Sequence, residues 1–186
     1  MGPKELFEEA QFLFIEGKEK ESIDAFTKAI EAGADPFMCY LSRGTAHLKL
    51  KDTTNALSDF DKAIDINSRN ARAYYYRGMV RMVRDEHDKA VADFSKALEL
   101  KPDYPTAKFA RATSYARLEK FDEAAKDLRA VMPEMEANVQ SFVDAHGIVR
   151  TEMWKVMAQV TGERRLEELE LSEDEMRTLQ KWLAED

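Results

Sequence analysis

The 186-residue chain holds one cysteine, three histidines, five prolines and seven glycines. Each scarcity closes off a class of protein. A lone thiol, Cys39, forms no internal disulfide, so a disulfide-stapled secreted scaffold is excluded. So few glycines and prolines leave too little turn chemistry for a β-sandwich or barrel and favour helices. No stretch approaches the roughly 18 apolar residues that a membrane-spanning helix needs, so no membrane insertion is expected. The opening MGPKELFEEA has no apolar core and carries acids early, unlike a signal peptide. Leu6 stands where a myristoylation signal wants Ser or Thr. A reducing, cytoplasmic setting is the expectation.

Catalytic and metal chemistry is thin as well. His47, His87 and His146 have no ligand spacing to one another or to Cys39, so neither a metal site nor a cofactor is expected. His87 sits in Asp85-Glu86-His87-Asp88 and reads as part of a solvated turn; His146 reads as a satisfied core or interface residue. There is no glycine-rich phosphate loop and no catalytic constellation, so the expectation is a protein that is not an enzyme. Cations are outnumbered: 28 Lys and Arg against 36 Asp and Glu give a net charge of −8. Such a surface repels phosphate backbones, and no nucleic-acid partner is expected.

What the chain does have is a beat. Hydrophobic residues make up 44 % of it, enough for a core. Small residues recur every 34 positions as Ser22, Ala56, Ala90 and Ala124. Four residues after each comes a large apolar one: Phe26, Phe60, Phe94 and Leu128. Three further on stand Ala29, Ala63, Ala97 and Val131. Small residues two helical turns apart share one helix face and let a neighbouring helix approach closely. Each period reads as two amphipathic helices; in the second, Phe37–Leu50 and Thr53–Ile66 flank a turn at Lys51-Asp52.

This pattern resembles the tetratricopeptide repeat. The third period fits best, through Tyr74, Gly78, Ala90, Phe94, Ala97 and Pro102. The second follows with Tyr40, Gly44, Ala56, Phe60 and Ala63, and Ser68 in the proline slot. The first is looser (Leu6, Ala10, Ser22, Phe26, Ala29). The fourth keeps Ala112, Tyr115 and Ala124 but has Lys108 in the aromatic slot. The resemblance implies an all-α, right-handed α-solenoid of four helix–turn–helix repeats over residues 3–132 (about 3–36, 37–70, 71–104 and 105–132), with a C-terminal helical extension over 133–186. It also implies a scaffold or adaptor, co-chaperone-like, that binds a protein or peptide in the concave groove.

In such arrays one face of each repeat's first helix lines that groove. Here it carries Phe7, Leu41, Tyr75 and Phe109, then Gln11, Thr45, Met79 and Thr113, then Phe14, Leu48 and Met82. We expect an exposed apolar stripe that takes an apolar peptide or amphipathic helix, with Arg72, Tyr76 and Thr113 as polar contacts. The alternative is that these residues are core between neighbouring helices. The family's chaperone-tail groove holds a terminal carboxylate with two Lys, two Asn and an Arg; the corresponding slots here are Phe7, Gln11, Ser42, Arg72 and Tyr76. Only Arg72 keeps the charge, so binding of chaperone tails is not expected.

Past Pro133, apolar residues fall at Met135, Val139, Phe142, His146, Val149, Met153, Val156 and Val160, in steps of four and three. Gly147 interrupts the stripe, Thr161-Gly162 ends it, and Ser172 with Glu175 opens a last helix as a capping box. Three arrangements fit this segment: two helices capping the fourth repeat, a homodimer through residues 133–186, or a helix filling the groove. In the last two the chain would be a self-assembling structural module.

Overall fold

The computed structural model describes residues 1–131. Seven helices lie wholly within them: α1 (Pro3–Ile15), α2 (Glu19–Glu31), α3 (Pro36–Lys49), α4 (Thr53–Ile66), α5 (Ala71–Val83), α6 (His87–Leu100) and α7 (Pro105–Arg117). An eighth, α8, begins at residue 121 and continues to 131. The expectations for the 133–186 extension lie outside the described residues.

Each helix packs on the next in the chain, and α1, α3, α5 and α7 also touch in succession. That is a solenoid: first helices along one wall, second helices along the other. The beat of small residues is its seam. Ala56, Ala63, Ala90, Ala97, Ala124, Ser22 and Ala29 are all fully buried, and so are Phe26, Phe60 and Phe94. Each large residue fits a small one on the paired helix. A Cβ added to Gly44 would come within 2.9 Å of the Phe60 ring, and one added to Gly78 within 2.7 Å of Phe94. Neither ring could stay in place.

The turns between paired helices repeat as well. Residues 17, 51, 85 and 119 are Gly, Lys, Asp and Glu, and all four have positive φ (74°, 59°, 56° and 59°). The following amides bond back to Leu13, His47, Arg81 and Tyr115 O at 2.9 Å, which closes a Schellman turn each time. Second helices then start on side-chain or backbone caps; Asp52 Oδ1, for example, accepts from the Asn55 amide.

A second periodic system links the repeats. Arg43, Arg77 and Arg111 each grip an aspartate of their own repeat with two hydrogen bonds: Asp59 (2.8 and 2.7 Å), Asp93 (2.9 and 2.7 Å) and Asp127 (2.6 and 2.7 Å). The remaining guanidinium nitrogen reaches back to the previous repeat, donating to Thr27 (2.8 Å), Asp61 (2.7 Å) and Ser95 (3.1 Å). One side chain thereby joins three helices. The planar fork of arginine suits this role, and lysine could not supply it. Repeat 1 has no such brace: Glu9 and Ala25 occupy its two positions.

Candidate functional site

The first helices place one cleft on their shared wall. Gln11, Phe14 and Ile15 come from α1, Met38, Leu41, Ser42 and Thr45 from α3, and Arg72 and Tyr76 from α5, with Phe26 at the floor. Its volume is about 220 Å³. That is below the usual range for a small-molecule pocket and suits one or two side chains of a larger ligand.

The walls are set from below. Phe7 packs on Phe26 with ring centroids 5.8 Å apart, and Tyr76 stacks on buried Phe60 at 5.8 Å and 12°. Thr45 turns its hydroxyl to Leu41 O at 2.8 Å. Arg72 is exposed, lies over the Tyr76 ring at 5.9 Å, and has no ion pair among the described residues. At the lip, Ile15 is 81 % exposed and the Lys49 ammonium sits 4.5 Å above the Phe14 ring.

Six of the residues expected in the groove therefore meet at one place: Gln11, Phe14, Leu41, Thr45, Arg72 and Tyr76. Met38, Ser42, Ile15 and Phe26 join them. The expectation of an exposed stripe along the whole wall is corrected. Leu41 and Tyr75 are each 5 % exposed, Phe109 2 % and Thr113 4 %. Tyr75, Phe109 and Thr113 are core, with Tyr75 packed among residues of α6 and α7 and Phe109 against α8, while Leu41 packs on α4 and α5 beneath the cleft. Tyr75 packs on Phe94 and Tyr104 with centroids 5.9 and 5.1 Å apart, and burial raises its hydroxyl pKa. Thr113 donates to Phe109 O at 3.1 Å and offers a ligand nothing. Phe7, Leu48, Met79 and Met82 are half-buried flanks of the repeat cores.

Two further residues differ in setting from a simple surface. His87 is not solvated: it opens α6 with a side chain only 13 % exposed, and its Nδ1 is buried without a hydrogen bond. Cys39 is fully buried, and burial pushes its thiol up to about 11. A thiol held protonated at neutral pH is a poor nucleophile.

The tetratricopeptide repeat family profile matches residues 39–70 and again residues 71–104. Residues 39–104 are two tetratricopeptide repeats. Among solved structures the chain is similar to MamA, residues 41 to the end, from Desulfovibrio magneticus RS-1, at 22 % identity and a TM-score of 0.67, covering 73 % of this chain and 76 % of that one. It is similar to the tetratricopeptide-repeat domain of Arabidopsis OM64 at 28 % identity and a TM-score of 0.58, covering 60 % of this chain and 93 % of that one. A third is the first such domain of Spaghetti (RPAP3), bound to the HSP90 peptide SRMEEVD, at 29 % identity and a TM-score of 0.60, covering 63 % and 93 %. No curated protein matches the chain. This tetratricopeptide array is a protein–protein interaction scaffold. No helix among the described residues is long and apolar enough to cross a membrane.

Proposed function

We propose that the array is an adaptor that holds an apolar peptide or one face of an amphipathic helix in the cleft between α1, α3 and α5. The cleft carries the reading: its lining is mostly apolar, it is sized for one or two side chains, and Arg72, with no ion pair among the described residues, stands at its edge. An aliphatic or aromatic anchor of the partner would sit against Phe14, Met38 and Tyr76. Arg72 would fix its direction by meeting an acidic side chain beside that anchor.

Spaghetti (RPAP3) holds an acidic peptide, SRMEEVD. We do not extend that ligand to this chain. Of Phe7, Gln11, Ser42, Arg72 and Tyr76, Arg72 alone is a cation, and Phe7 is committed to the Phe26 ring. A terminal carboxylate needs several convergent donors.

Affinity capture with the full chain tests the proposal. Arg72→Glu together with Met38→Ala changes the cleft without touching a fully buried residue. Partners captured by the unaltered protein should be lost from this variant, and a peptide ending in MEEVD should bind neither. Retention of every partner by the variant would sink the cleft as the site.

A further inference from the structure

The brace between repeats has a donor and an acceptor position, and each changes once among the described residues, in the first repeat and in α8. The donor position is arginine at 43, 77 and 111, but glutamate at 9. The acceptor position, 16 residues earlier in the chain, is Thr27, Asp61 and Ser95, but arginine at 129. The two exceptions are complementary. Glu9 and Arg129 are both exposed and neither has an ion pair among the described residues. Glu9 also has no role within its own repeat, since Ala25 stands where the other repeats have aspartate.

A third position agrees. Ala46, Val80 and Ser114 are 0 % exposed because the preceding repeat covers them. Their counterpart in the first repeat is Phe12, which is 60 % exposed. A large apolar side chain thus stands on the outer face of α1, at the position that stacking buries everywhere else. Glu5 occupies the position of buried Cys39, Ala73 and Ala107, but its carboxylate turns back to the Gly2 amide at 2.8 Å, in the first turn of α1.

We propose that the outer face of α1 binds the outer face of α8 of a second copy of this chain, so that the solenoid continues from one molecule into the next. Glu9 of one copy meets Arg129 of its neighbour across the junction, the internal brace with its charges exchanged, and Phe12 is covered. Pairing α1 with α1 instead would bring exposed Glu5 and Glu9 toward the same residues of the second copy, and like charges oppose it. A head-to-tail contact does not close on itself at two copies.

Sedimentation velocity on the full chain, over a range of concentration and salt, tests this. The mass should grow past the dimer as concentration rises and should fall as salt screens the pair. Glu9→Arg and Arg129→Glu should each weaken association by roughly tenfold or more. Both substitutions lie on exposed positions, so the monomer should keep its helix content. The double variant should associate again, and so should a mixture of the two single variants. A monomer at every concentration, an assembly that stops at two copies, or association indifferent to the single charge reversals would each overturn the proposal.

Discussion

Repeats 1 and 3 share one outline and differ in what holds them. In repeat 3, Gly78 lies under Phe94, Arg77 grips Asp93 and reaches Asp61, and the turn runs through Asp85 at positive φ. In repeat 1, Ala10 stands where Gly78 does, the brace is missing, and the turn runs through Gly17. The inner repeat depends on its neighbours for a three-helix tie. The first repeat lacks that tie and makes fewer demands. The same outline is therefore compatible with quite different sensitivities to substitution, and each difference can be measured.

The brace should separate the repeats most. Asp93→Ala leaves Arg77, with a side chain 17 % exposed, without its two-pronged partner. A cost of about 3–5 kcal/mol is expected, read as a lower midpoint in denaturant. Glu9→Ala in repeat 1 should stay within about 0.5 kcal/mol, as for an ordinary surface change. Equal effects would mean that the brace contributes no more than an exposed pair.

The close approaches rank next. Gly78→Ala should cost about 1–3 kcal/mol by overpacking Phe94. Gly44→Ala should cost less, because its added Cβ meets Phe60 at 2.9 rather than 2.7 Å. Repeat 4 pairs Ala112 with the smaller Leu128, and both are buried. Gly78→Ala combined with Phe94→Leu should therefore be less destabilising than the sum of the two single changes.

The turns should give a smaller effect with opposite signs. Lys51→Gly and Glu119→Gly relieve a left-handed conformation that costs an L-residue roughly 1–2 kcal/mol, so each should raise the midpoint modestly. Gly17→Ala should lower it. Thermal melts on the three variants decide the matter.

The smallest effect concerns Cys39. With its thiol at about 11, the folded protein should react slowly with a thiol reagent at pH 8, and denaturant should speed the reaction sharply. The raised value also means that the folded state holds its proton longer than the unfolded chain does. This contribution to stability is complete below the ordinary value of 9.0 and is lost as pH rises toward 11.

The helix pairs were legible because a single spacing carried them. Ala56, Phe60 and Ala63 recur unchanged as Ala90, Phe94 and Ala97 and with small substitutions in the first and fourth periods, and such a set on one face has few packing solutions. The arginine brace had the same spacing in Arg43, Arg77 and Arg111 and in Asp59, Asp93 and Asp127, but charged residues on amphipathic helices are usually taken as solvent-facing. The periodicity of those pairs was the signal that could have found it. The groove was half legible. Gln11, Phe14, Thr45, Arg72 and Tyr76 do meet around one cleft. Tyr75 and Phe109 carry the same helix register as Leu41 and are closed off. Their burial depends on how α6 and α7 close over Tyr75 and α8 over Phe109, which no single-helix periodicity encodes. His87 was misjudged for a related reason: a turn between helices looks solvated in sequence, whereas its ring is tucked behind the start of α6.

The central claim is that partners engage the cleft of the first three repeats and not the outer wall. Site-specific photocrosslinking in cells addresses it most directly, with a photoreactive residue placed in turn at Gln11, Met38 and Arg72, and at exposed Lys28 and Lys62 on the second helices. The account predicts crosslinks to a common protein from the three cleft positions and none from the two outer ones. Crosslinks to that protein from Lys28 and Lys62, with none from the cleft, would contradict it.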